Sequence, residues 1–129
     1  MERRHLWSIY LSVFTGARTG DREIKTPYIP DYATNNAHMF YLLFPDLASR
    51  SDFIAKMRAR DVLAVFHYLP LHSSDFYREY VKAHAPSGPV PESLPNCDRY
   101  ADTLVRLPLY YDLAPDQWRV IAAAREALA

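Results

Sequence analysis

The sequence predicts an α+β domain, a small sheet of about three strands covered by helices. Three observations carry this. Half of the 129 residues are hydrophobic and only three are glycine, a balance that suits a packed chain rather than a disordered one. Two runs rich in β-branched and aromatic residues, 37–44 and 62–68, read as strands. Around them apolar residues recur three and four apart, the helical spacing. The length fits one domain, enough to bury roughly two-thirds of the unfolded surface.

Taken in order, residues 3–15 read as a helix whose stripe is Leu6, Trp7, Ile9, Tyr10, Val13 and Phe14. Gly16 is placed to close it in the left-handed conformation. No good N-cap precedes Arg3, so the helix reads as one continuing backwards. Pro27 and Pro30 make residues 21–36 extended. The first strand then runs from Ala37 to Phe44, and Pro45-Asp46 ends it. Ser49 and Asp52 stand three apart, a capping-box spacing, and predict a helix over 50–60 with Phe53, Ile54 and Met57 on one face. The second strand runs from Val62 to Tyr68. This order suits a right-handed crossover, with strand directions left open.

Residues 75–83 predict a short helix with Phe76, Tyr80 and Val81 as its apolar contacts. The stretch 84–95 holds Pro86, Pro89, Pro91 and Pro95 and reads as a mobile loop. Asn96 or Asp98 starts a helix that reaches Val105. Residues 107–111 read as an edge strand, because Pro108 cannot donate to a ladder. Pro115 and Asp116 open the last helix, with Trp118, Ile121, Ala122, Arg125 and Leu128 defining its faces.

Fifteen basic and fifteen acidic residues cancel, so there is no basic footprint for nucleic acid and no polybasic membrane patch. The apolar run from Leu6 to Phe14 is too short to span a bilayer and lacks the cleavage site of a signal peptide. Cys97 is the single cysteine, which excludes an internal disulfide and is compatible with a reducing cytoplasm. A soluble, cytoplasmic chain is the expectation.

The segment His67-Tyr68-Leu69-Pro70-Leu71-His72-Ser73-Ser74 concentrates the polar chemistry. A strand runs into two imidazoles, a phenol and two hydroxyls, with Pro70 fixing the bend. Strand ends of this kind are where binding sites tend to be built. Imidazole shuttles protons near neutrality. Metal binding is not expected, because no Cys or Glu completes a ligand set. The bland reading is a histidine that makes one backbone hydrogen bond and nothing more, and His38 is read that way. Cys97 has no identifiable base and reads as inert. Ser73 and Ser74 read as loop hydroxyls. Tyr41, Tyr110 and Tyr111 read as core and rim. Glycines at 16, 20 and 88 cannot form a phosphate loop.

Three ordered blocks go further. "NAHMFYLLFPDLASR", "HYLPLHSS" and "RLPLYYDL" resemble the C-terminal part of the sugar-nucleotide aminotransferases, pyridoxal-phosphate enzymes of fold type I. The resemblance spans roughly residues 3–128. It implies that residues 1–20 are the end of an interdomain helix and 21–129 the C-terminal small domain. It implies amino transfer from glutamate to a nucleotide-linked keto sugar, at sites shared between subunits. The Schiff-base lysine, the aspartate on the pyridine nitrogen and the phosphate cup lie in the family's large domain. Lys25, Lys56 and Lys82 match none of those motifs, so pyridoxal phosphate is not expected to bind this chain alone. By the same resemblance His67, Tyr68 and His72 become substrate-binding candidates, with no catalytic and no metal residue named. Asp61 stands where the family usually has glycine, which predicts a strained turn, and Ala114 where a capping residue is expected.

Three readings follow: a fragment inactive alone, a stand-alone binding module, or one half of a split transaminase. The partner is then a large domain in cis or as a separate chain, or a second copy through residues 6–14. For the latter, the helix is predicted to expose an apolar patch of at least a few hundred Å².

Overall fold

The computed structural model describes residues 2–84 and 93–129, so most of the proline-rich loop lies outside the described residues. The elements are α1 (Glu2–Phe14), β1 (Arg18–Thr19), β2 (Arg22–Glu23), β3 (Phe40–Leu43), α2 (Leu47–Arg58), β4 (Val65–Phe66), α3 (Asp75–His84), α4 (Pro95–Thr103), β5 (Leu104–Leu107) and α5 (Gln117–Leu128). Short 3₁₀ turns at Leu71–Ser73 and Tyr111–Asp116 link β4 to α3 and β5 to α5. The predicted α+β class and the small three-stranded sheet are present.

The main sheet has the order β3-β5-β4, with both outer strands antiparallel to β5. β3 and β4 therefore run parallel with β5 inserted between them, and α2 is their crossover. β1 and β2 form a separate hairpin, from which Lys25 bridges to Leu43. Pairing fixes which side chains share a face. Phe40, Leu107, Leu42 and Val105 lie on one face and are buried; Tyr41, Arg106 and Val65 lie opposite one another on the other and are half-buried. Helices pack on the first face. The second is where the candidate site rises.

The core is aromatic on the α1 side. Trp7, Tyr10 and Phe14 surround Phe40 at ring separations of 5.6, 5.2 and 6.4 Å; each such pair is worth about 0.5–1.5 kcal/mol beyond burial. Polar atoms are tied in as well. Trp7 Nε1 donates to the Met39 carbonyl, Tyr10 Oη to the Pro108 carbonyl and buried Gln117 Nε2 to the Leu6 carbonyl. The patch expected on residues 6–14 is therefore not there. Leu6, Trp7, Tyr10 and Phe14 are at most 6% exposed, and Ile9 and Val13 are partly buried against the core. The sheet and α5 supply more cover than one small sheet alone, so self-association through this helix loses its physical ground.

Other boundaries move for identifiable reasons. The N-cap of α2 is Asp46, whose carboxylate accepts from the Ser49 N–H and hydroxyl and pairs with Arg22. The helix so starts at Leu47, one turn before the Ser49 signal. The Ser49 N–H and hydroxyl, then Arg22, hold the Asp46 carboxyl far below the usual carboxylate range. The last strand is Leu104–Leu107, before Pro108 rather than through it, and it is central, not an edge. Pro115 sits inside the 3₁₀ turn, and α5 begins after it at Gln117. In α3 no residue is buried; Phe76 and Tyr80 point to solvent instead of the core.

Two turn readings agree with the structure. Gly16 has φ +76° just past α1, and Asp61 has φ +55°. At Asp61 the Val62 N–H reaches the Met57 carbonyl and the Asp61 N–H the Arg58 carbonyl, the paired bonds of a Schellman motif with Asp61 in the glycine position.

Candidate functional site

The site is built where β4 runs out. Val65 and Phe66 alone complete the ladder. Phe66 turns to the helical side, where the Arg50 guanidinium of α2 lies 5.5 Å from its ring. His67 and Tyr68 follow, with ring centroids 4.8 Å apart, and the Arg106 guanidinium stands 5.7 Å from the Tyr68 ring. Pro70 is extended and leads into the 3₁₀ turn, which Ser73 and Ser74 close by donating to the carbonyls of Pro70 and Leu71. Those hydroxyls also start α3, since Ser74 Oγ accepts the Tyr77 N–H.

His72 leaves the strand and turns toward α4. Its Nε2 lies 2.8 Å from Asp98 Oδ1, and its side chain is 7% exposed. The other Asp98 oxygen accepts from Ser93 Oγ and the Leu94 N–H, so one carboxylate caps the first turn of α4 and anchors the 3₁₀ turn. Beside this junction is a cleft of ≈ 410 Å³ whose lining includes Arg50, Phe66, Ser73 and Asp98. The structure thus joins His67 to Tyr68 and places His72 on a separate contact with α4. Tyr68 is open, His67 half-buried and His72 nearly closed off.

The electrostatics around His67 are one-sided. Burial first, then the positive charge of Arg106 and the proximity of His38, holds its imidazole below the ordinary histidine range. His67 Nδ1, His72 Nδ1 and Arg106 Nε are buried and have no hydrogen-bond partner among the described residues. An imidazole so held is biased toward its neutral form, with one N–H donor and one acceptor nitrogen. Arg106 is the residue that sequence reasoning missed. Its signal was present: one cation in Leu104-Val105-Arg106-Leu107, at the parity opposite to Val105 and Leu107. Among the described residues no group of three or more His, Cys, Asp or Glu could hold a metal. No helix among them is long and apolar enough to cross a membrane.

Solved aminotransferases share this architecture. The aminotransferase TlmJ from Streptoalloteichus hindustanus superposes with a TM-score of 0.79 at 24% identity over 98% of this chain and 31% of its own. DesV from S. venezuelae, solved with a ketimine intermediate, gives 0.77 at 27% identity over 97% of this chain and 30% of its own. PseC of Helicobacter pylori, an aminotransferase of pseudoaminic acid biosynthesis, gives 0.71 at 14% identity over 98% and 32%. The fold is that of part of an aminotransferase. The chain belongs to the DegT/DnrJ/EryC1/StrS aminotransferase family, whose profile matches residues 1–125. It spans about a third of the length of these solved relatives.

Pyridoxal phosphate is the cofactor of that family. Lys56 pairs with Asp52 on the surface of α2 at 3.1 Å, Lys25 bridges by its backbone to Leu43, and Lys82 lies on α3. The three lysines stand at three separate places in the fold.

Proposed function

We propose that this chain is the C-terminal small domain of a pyridoxal-phosphate-dependent sugar-nucleotide transaminase. Residues 1–20 would be the end of the interdomain helix and 21–129 the small domain. One observation carries the reading: 98% of this chain superposes on 31% of an aminotransferase with a TM-score of 0.79. The reaction would move an amino group from glutamate to a dTDP-4-keto-6-deoxyhexose, as in a dTDP-4-amino-4,6-dideoxygalactose transaminase making a surface-polysaccharide precursor in the cytoplasm. His67, Tyr68 and His72 would stand on the nucleotide-sugar side of the pocket, with Tyr68 as the exposed contact and His72 fixing the turn that carries it. The cofactor would come from a large domain, in cis or as a separate chain, and the 129-residue chain by itself would be inactive.

Borohydride reduction of the chain with pyridoxal phosphate tests this. The expected result is no stoichiometric adduct on Lys25, Lys56 or Lys82 and no turnover with glutamate and the keto sugar. A single-site adduct with turnover overturns it. Joining the chain to a family large domain should then give activity. In that joined protein Tyr68→Ala should raise the KM for the sugar nucleotide. A chain that binds the nucleotide sugar yet never supports activity in this way is instead a stand-alone binding module.

A further inference from the structure

We propose that Arg106, with His38 and beside His67, forms a receptor for a small oxyanion on the half-buried face of the main sheet. The ladder register sets the geometry. Arg106 lies directly opposite Tyr41 on one neighbour and Val65 on the other, on the half-buried face of the sheet. A cation in the middle strand of a sheet is costly unless its donors are satisfied. Here one of them is not: Arg106 Nε is buried and makes no hydrogen bond among the described residues. The ion pairs among the described residues lie elsewhere, at Asp46, Asp52, Glu126, Asp98 and Asp75. Among the described residues the one charge-related contact of Arg106 is with the Tyr68 ring, and a ring satisfies no N–H donor.

The surroundings are set for an anion. His67 touches the same Tyr68 ring, and burial first, then the nearby Arg106 guanidinium, disfavours its protonated form. His38 is held through Nδ1 by Asn36 Oδ1 at 2.8 Å, which fixes its ring beside the cleft. That cleft, of ≈ 220 Å³, is lined by His38, Val65, Arg106 and Pro108 among others. It has room for a phosphate or carboxylate group rather than for a whole nucleotide. A guanidinium fork matches both groups, since each offers two oxygens in one plane. The inference stands on these residues and does not rest on the transaminase reading.

The experiment follows the Arg106 Nε–H signal of the 129-residue chain by ¹H–¹⁵N NMR. One arm adds inorganic pyrophosphate, the other glutarate, each against sodium chloride at equal ionic strength. A saturable shift in either arm, absent with chloride, supports the receptor; the tighter arm says whether phosphate or carboxylate is its ligand. Arg106→Gln should weaken binding at least tenfold, read on the neighbouring His67 and His38 signals, and Arg106→Lys should weaken it less. Arg78→Gln, on exposed α3, should change nothing. Linear, chloride-like shifts in both arms overturn the proposal, as does an Arg106→Gln protein that binds like wild type. Should Arg106→Gln fail to fold by near-UV circular dichroism, the wild-type titration and Arg106→Lys decide the matter.

Discussion

Helices α1 and α3 look alike in sequence and live opposite lives. Both are short, and both carry an aromatic stripe at helical spacing. In α1 the stripe is the core: Tyr10 and Phe14 are at most 1% exposed. In α3 the stripe is bare. Phe76 is 73% exposed, and Phe76, Tyr80 and His84 stack on one another along the surface. The difference is what lies opposite. α1 meets Phe40, Met39, Pro108 and Gln117, while α3 packs chiefly on the 3₁₀ turn before it. A hydrophobic stripe states that a helix has a face to cover. It does not state where the cover comes from.

The sharpest way to break the comparison is to cut each side. Phe40→Ala removes the ring around which Trp7, Tyr10 and Phe14 pack. It should cost about 3–5 kcal/mol, as large-to-small aromatic truncations in cores do. Urea denaturation followed by circular dichroism reads this directly; a loss under ~1 kcal/mol would mean that α1 is not anchored on the sheet. Next in size is the polar tie between α1 and α5. Gln117 is 1% exposed and its amide holds the Leu6 carbonyl. Gln117→Leu keeps the bulk and removes the bond, for an expected loss of about 1–3 kcal/mol. A neutral result would show that apolar packing alone docks the two helices.

A gain is expected at Asp61. Its φ of +55° puts a side chain where glycine is at ease, and a carboxylate at a helix C-terminus opposes the macrodipole. Asp61→Gly should raise stability by about 0.5–1 kcal/mol, the glycine entropy cost offsetting part of the relief. A loss instead would mean that the bond from Arg119 to the Asp61 carbonyl depends on the wild-type turn.

A smaller, pH-linked effect belongs to the open side. An unfolded histidine titrates near about 6.5, and folding holds His67 below that through burial, the charge of Arg106 and the proximity of His38. Between the two values the unfolded chain binds more protons, so stability is full above the unfolded value and is lost as pH falls toward the folded one. His67→Gln should flatten that slope on acidification. An unchanged slope would show that other groups carry it.

Legibility in the sequence followed the same division. The α+β class, the strand–helix–strand order of β3, α2 and β4, the positive-φ turn at Asp61 and the glycine close of α1 rest on local chemistry, and local chemistry is written in neighbouring residues; the β1–β2 hairpin was not read from it. Asp46 was overlooked as a cap because Pro45-Asp46 also reads as a strand stop and Ser49 offers a competing start. β5 was displaced because its proline ends a strand as readily as it marks an edge. His67 and Tyr68 were visible as chemistry, but their partner Arg106 lies far along the chain. His72 was visible too, yet its pairing with Asp98 on α4 is a tertiary fact. Local spacing carries no information on which distant element arrives opposite.

The smallest effect is the most telling for α3. Phe76→Ser with Tyr80→Ser removes two aromatic rings from a helix in which nothing is buried. In the core such a loss would cost several kcal/mol; here each substitution should stay within about 0.5 kcal/mol, as for surface positions away from special features. The two rings do contact each other at 6.2 Å, but an exposed pair keeps most of its water in either state, so little apolar area is returned to solvent on unfolding. Denaturant midpoints of wild type and double variant, with the slope unchanged, give the measurement. A loss above ~2 kcal/mol would mean that α3 is held by its aromatic face after all, and that the contrast with α1 is one of degree. An unchanged midpoint leaves those rings without a role in the fold of this chain.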